Sequence, residues 1–182
     1  MGVPNLSQVQ IKWINEQVAR FIEAQRAIYL TKAVPLTPKQ RNLMQPFFPI
    51  SLLGSVRLIT LRTDRIENPP FYSQLRTMGL APELLPDFAD MGAITLVDVI
   101  VSHGSLSNPT LFHELVHVVQ YAKLGLDRFA AMYVRGFLRG GAYERIPLEI
   151  NAYELDSEFT RHPGRHFSVE DRVQRWIDDD RF

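Results

Sequence analysis

Residues 113–117 read His113-Glu114-Leu115-Val116-His117, two imidazoles four positions apart with a carboxylate between them. Four residues make about one helical turn, so on a helix both imidazoles leave the same face and can reach one ion from adjacent turns. Neutral imidazole suits zinc. Glu114 then sits beside the ion, not on it, where a carboxylate can take the proton from a water as that water attacks a carbonyl group. The motif lies in the apolar run Leu111 to Val119. Two imidazoles and a carboxylate in such surroundings cost on the order of several kcal/mol unless they are paired or bind a metal.

The elements around the motif are those that would position it. Asn108-Pro109 supplies a helix N-cap with proline at the first helical position, and Gly125 stands where a C-cap should be. Leu111, Leu115, Val118, Val119 and Ala122 form the expected buried stripe of this helix. A third ligand is expected downstream, in Ile146 to Asp156. Glu149 is the preferred residue: it falls early in a helix started by Pro147, with small Ala152 one turn later where closely packed helices want little bulk. Glu154 and Asp156 on the same helix are alternatives. His162 and His166 are a further spaced pair, but Pro163-Gly164 interrupts any helix between them.

With these residues the chain resembles the glutamate-liganded zincins, the gluzincin-like metallopeptidases, whose second helix carries a Glu ligand with a small residue three positions on. The resemblance covers residues from about 93 to 159. It implies a zinc ion held by His113, His117 and Glu149, with Glu114 as the base that activates water. Many members have Asp four residues after the ligand, orienting the first histidine, whereas this chain has Tyr153. The partner of His113 is therefore sought among Asp156, Glu154 and Asp98. A donor to the developing oxyanion is also required, with Tyr143, Arg145, Tyr153 and His103 as candidates. Tyr143 is chosen because it follows Gly140-Gly141, just ahead of the Glu149 helix.

Composition narrows the function classes. The 182 residues are 46% hydrophobic, and 20 basic side chains balance 20 acidic ones. That length and apolar content fit one domain over 1–182, with a helical N-terminal part to about 54 and a metal-site core from about 55. No basic footprint for nucleic acid is present. Without cysteine there is no disulfide, thiolate metal site or cysteine nucleophile, so a metal must be held by His and carboxylate. Met1-Gly2-Val3-Pro4 lacks the cationic flank of a signal peptide, and Pro4 argues against reading Gly2 as a myristoylation site. No apolar run approaches the roughly eighteen residues needed to span a bilayer, and the expected location is cytoplasmic.

Along the chain, Ser7 to Gln10 is a capping box before Ile11, Ile14, Val18, Phe21, Ile22 and Ile28 at helical spacing. Thr37 to Gln40 is a second capping box, opening a shorter helix that ends near Pro46. Ser55 to Thr63 is expected as a strand. Ile66 to Tyr72 is expected as a rigid turn into a short helix. The clearest strand is Ala93 to Val101, read either as a substrate-binding edge or as an interior strand. Ser102 to Ser107 would form a polar loop. Asp127 to Leu138 and a helix capped by Ser168, carrying Val173, Trp176 and Ile177, complete the elements. The expected fold is a mainly helical α+β zincin-like domain with a small mixed sheet. The expected activity is zinc-dependent hydrolysis of a peptide or protein substrate at a peptide bond, inclining to an endopeptidase or processing enzyme because the exopeptidase signature of some aminopeptidases is missing. The alternative is a catalytically inactive zinc-binding structural or regulatory module that binds a protein partner.

Overall fold

The computed structural model describes residues 4–140, 143–162 and 164–180. Met1, Gly2, Val3, Gly141 and Pro163, which figure in the expectations above, lie outside the described residues.

Ser7 opens the long first helix α1 (Gln8–Leu30) with the expected capping box: its side chain accepts from the Gln10 backbone while Gln10 reaches back to the Ser7 backbone. Ile14, Ala19, Phe21 and Ile22 are its buried face. Ile28, expected in that stripe, is exposed. The short strand β1 (Val34–Pro35) follows, then α2 (Pro38–Met44), capped by Thr37 as expected. Helix α3 (Ile50–Ser55) was not foreseen, and it shortens the expected Ser55–Thr63 strand to β2 (Arg57–Thr60). Helix α4 (Tyr72–Thr77) is the short helix after the proline turn.

The stretch expected as one strand from Ala93 to Val101 is a hairpin, β3 (Ala93–Leu96) and β4 (Val99–Ser102), paired antiparallel with Leu96 opposite Val99. Its two-residue turn, Val97-Asp98, lacks the Gly or Asn that such turns favour. Val97 instead adopts φ 63°, an unfavourable region for a β-branched residue. The turn is held from outside: Arg26 of α1 donates to both carboxylate oxygens of Asp98, at 2.5 and 2.9 Å. Asp98, considered as a partner for His113, is thus committed elsewhere.

The four strands form a mixed sheet in the order β1-β2-β4-β3, with β2 and β4 parallel and the other pairs antiparallel. The chain is mainly helical around this small sheet, as an α+β fold requires. Alternation along β4 sends Val99 and Val101 into one apolar cluster with α1, and Ile100 into a second, so both faces of this strand are covered.

Helix α5 (Asn108–Leu124) carries the motif. Its N-cap is Ser107, one residue earlier than expected, because the Ser107 hydroxyl accepts from the Thr110 backbone. Gly125 closes it with φ 74°. Every side chain from Leu111 to Tyr121 is buried, so the helix is enclosed on all sides rather than along one stripe, and Ala122 is exposed. Helices α6 (Leu126–Gly140), α7 (Pro147–Arg161) and α8 (Val169–Asp178) pack around it.

Two features set α7 against its neighbours α5 and α6. Phe112 of α5 stacks on Phe159 of α7, ring centres 4.5 Å apart, with Phe47 edge-on to both. At the other end of α7, Gly136 of α6 lets the chain at Ile146-Pro147 pass: a Cβ there would lie 2.6 Å from the Pro147 Cδ. Gly136→Ala is accordingly expected to destabilise the fold by about 1–3 kcal/mol, the scale of overpacking, measured as a lower urea midpoint with unchanged slope. An unaltered midpoint would show that the α6–α7 approach yields freely.

Candidate metal centre

The expected helix and the expected spacing bring His113, His117 and Glu149 together. All three are buried, and they are the cluster that could hold a metal ion among the described residues. The two Nε2 atoms are 3.1 Å apart, and the Glu149 Oε2 is 3.3 Å from the first and 3.4 Å from the second. An ion with tetrahedral bonds of about 2.0–2.1 Å to nitrogen and oxygen needs its ligand atoms about 3.3 Å from one another. The triangle has that size.

Hydrogen bonds behind the ligands show what the inner atoms are. The His113 Nδ1–H donates to Asp156 Oδ2 at 2.9 Å. The His117 Nδ1–H donates to Gln120 Oε1 at 2.8 Å. The Gln120 amide cannot present its nitrogen instead, because that nitrogen donates to the Leu148 carbonyl and to Asn151 Oδ1, both at 3.0 Å. Each imidazole therefore has a proton on Nδ1 and turns Nε2 inward, towards a carboxylate oxygen, where it can hold either a proton or a metal ion. Two imidazole nitrogens and a carboxylate oxygen converging in a buried space repel one another unless positive charge, a proton or a metal ion, lies among them. The donor set fits a divalent ion with no rearrangement.

The same field appears in the ionisation of these groups. Burial disfavours charge on His113, but hydrogen bonds to Asp156 and then Glu149 outweigh it and push its pKa up to about 10. His117 is raised despite its burial, through the Glu149 charge. Burial would raise Glu149, yet His117 and the hydrogen bond from His113 hold it well below the usual carboxylate range. The pocket draws positive charge inward.

Asp156, one of three residues considered for orienting His113, fills that role. It lies seven positions after Glu149, two turns along the same face of α7, so one helix grips the His113 ring from both nitrogens. Tyr153, between them, lays its ring over the same imidazole with centres 4.6 Å apart. Glu154 is exposed on the far side of the helix. Asp156→Ala is expected to weaken metal binding ten- to a hundredfold, read by competition with a chromogenic chelator, whereas Glu154→Ala should leave it unchanged. The reverse pattern would mean that His113 is oriented through another contact.

Glu114 stands outside the donor triangle. Its Oε2 accepts a 2.7 Å hydrogen bond from the Thr95 hydroxyl on β3, and burial raises its pKa. Beside it opens a cavity whose walls include Glu114, His117, Glu149, Thr95 and Tyr143. Tyr143 lies in a 3-10 turn, Tyr143–Arg145, just ahead of α7. Burial, and then the charge of Glu149, keep its hydroxyl well above its ordinary pKa. Of the other oxyanion candidates, Arg145 is exposed and does not line the cavity. His103 is a staple of its loop, with Nδ1–H donating to the Met91 carbonyl at 2.5 Å and Nε2 accepting from the Ile66 backbone at 3.3 Å. The pair His162 and His166 lies outside the cluster, with the His166 ring packed on Phe47.

Three participants were not foreseen. Thr95 lies within the stretch expected as the clearest strand, where nothing in the residue order points it at Glu114. Gln120 and Asn151 carried a weak signal, as amides in helices otherwise buried by apolar residues, and both are buried here.

Comparison with family models, curated proteins and solved structures finds no match to this chain. The chemistry of the centre follows from its own geometry.

Proposed function

We propose that the chain is a zinc-dependent hydrolase of the glutamate-liganded zincin type, a metallopeptidase that cleaves an amide bond with Glu114 as general base. The observation that carries this reading is the placement of Glu114: a buried carboxylate next to, and outside, a three-donor metal nest, at the edge of a cavity. Two imidazoles and one carboxylate are the ligand set of open catalytic zinc sites, which leave a coordination position for substrate or water. Zinc held there would supply a Lewis acid that polarises the scissile carbonyl and acidifies a water.

The remaining work falls to side chains of this protein. Thr95 holds one oxygen of Glu114, leaving the carboxylate to take a proton from the attacking water through the other. Its apolar surroundings raise its affinity for that proton. Glu114 then passes the proton to the leaving nitrogen, which departs as an amine. Tyr143, un-ionised beside Glu149, supplies an O–H to the carbonyl oxygen as charge gathers on it. Strand β3, which among the described residues has a strand neighbour on one side only, offers backbone groups along which an extended peptide can lie.

The experiment is to load the purified protein with zinc, verify the metal content and follow cleavage of a broad peptide library by mass spectrometry, in wild type and Tyr143→Phe. Cleavage is expected, with kcat in the variant lower by about 10²–10³ and zinc content unchanged. Zinc bound without turnover of any amide would assign the centre to a structural or regulatory module. Equal kcat in both proteins would remove Tyr143 from the mechanism.

A further inference from the structure

The cavity beside Glu114 continues far past the residues that the hydrolysis uses. Besides the groups of the metal centre, its walls include Val18 and Phe21 of α1, Tyr133 and Phe137 of α6, and Leu80. Apart from the groups at the metal end, its walls are aliphatic and aromatic, and none of the described residues lining it is a lysine or arginine. A substrate carboxylate would find no counter-charge within it.

The wall residues on α1 run from Ile14 to Ile22, eight helical steps, which span roughly 12 Å at 1.5 Å per residue. That is longer than any single apolar side chain. The space in which the centre of a water-sized sphere can move is about 100 Å³. Spread over that length, and with the sphere's own radius of about 1.4 Å added, it is a passage about 6 Å across, wide enough for an aliphatic chain. A narrow passage with so few polar partners also holds water poorly.

We propose that the substrate of this centre carries an uncharged aliphatic chain of about eight to ten carbons, and that the bond cleaved is the amide joining this acyl chain to an amino group. The cleavage chemistry rests on the hydrolase reading; the alkyl specificity rests on the cavity. With the chain in the cavity, its carbonyl carbon lies at the one polar end, among Glu114, His117 and Tyr143. The oxygen of water adds to that carbon, the C–N bond breaks, the proton taken by Glu114 goes to the nitrogen, and the products are a fatty carboxylate and an amine. The amine side, an amino acid or a peptide N-terminus, extends out past β3.

Two measurements on the full chain test this separately. Straight-chain alkanols of four to twelve carbons are titrated into metal-free and zinc-loaded protein by calorimetry. Affinity is expected to rise about threefold to fourfold per methylene, levelling near ten carbons, in both forms. Val18→Trp, which narrows the passage remote from the metal ligands, should flatten the series. A flat or irregular series in the wild-type protein overturns the alkyl assignment whether or not the variant folds. Zinc-loaded protein is then offered N-acyl amino acids from two to twelve carbons alongside unacylated peptides with leucine or phenylalanine at the cleavage point. kcat/KM rising with acyl length supports the proposal, and preference for the unacylated peptides overturns the deacylation step. Chain-length-dependent binding with no turnover of either series would end the hydrolase reading and leave the alkyl specificity standing.

Discussion

Replacing Glu114 by glutamine is expected to lower turnover by at least about a hundredfold while zinc content stays at the wild-type level, the scale associated with loss of a general base. The structure separates the two effects. Glu114 contributes no atom to the donor triangle, so its neutral isostere leaves the nest formed by His113, His117 and Glu149 in place. Glutamine can still accept from the Thr95 hydroxyl, which now bonds the Glu114 Oε2, so the side chain should hold its position in the cavity wall. What it loses is the capacity to take a proton. The loss should therefore fall on kcat rather than KM, and metal analysis alongside kinetics checks both halves. Wild-type turnover in the variant would dismiss Glu114 as the base.

Glu149→Ala should have the largest effect on the metal. It removes one of three inner donors and the only anionic one, from a space where that oxygen lies 3.3 and 3.4 Å from the two imidazole nitrogens. Zinc affinity is expected to fall by at least about a thousandfold, more than the ten- to hundredfold cost of losing an outer hydrogen-bond partner. Zinc should also raise the melting temperature of the wild-type protein by mass action, because only the folded chain assembles the nest, and the variant should lose this shift at the same zinc concentration. Alanine additionally empties a volume packed by α5 and α6, so melting without metal must be recorded for both proteins. Wild-type zinc affinity in Glu149→Ala would move the third ligand to another residue.

The centre was legible in the sequence because its main signals are local. His113, Glu114 and His117 share one helical segment whose start, end and face follow from Pro109, Gly125 and spacing. Glu149 was recoverable because Pro147 and Ala152 mark where a second helix begins and where it must lie close. The outer partners were less legible, since they depend on the register between helices. Nothing in the order of residues decides that Asp156, rather than Glu154 or Asp98, reaches His113; that follows from α7 lying along α5 with positions 149 and 156 on one face. The hairpin failed for the same kind of reason. Val97-Asp98 lacks turn chemistry of its own, and the bend is secured by Arg26 from a helix 72 residues away. Thr95 depended on that bend, because only a β3 separated from β4 turns its hydroxyl to Glu114. Helix α3, six residues long, has no side-chain cap to announce it.

The hydrogen bonds that fix Gln120 between His117, Leu148 and Asn151 have a consequence for which ions can settle in the protein. They stitch α5 to the first turn of α7, so the three inner atoms keep their spacing whatever arrives. A nest so cramped and so rigid sorts visitors by radius and by appetite for nitrogen. Calcium, which seeks six to eight oxygens at about 2.3–2.6 Å, meets too few of them and too little width, and magnesium would have to surrender waters it gives up reluctantly in exchange for imidazoles it does not favour. If the centre holds zinc as proposed, its discrimination would rest in part on a glutamine that never touches the ion.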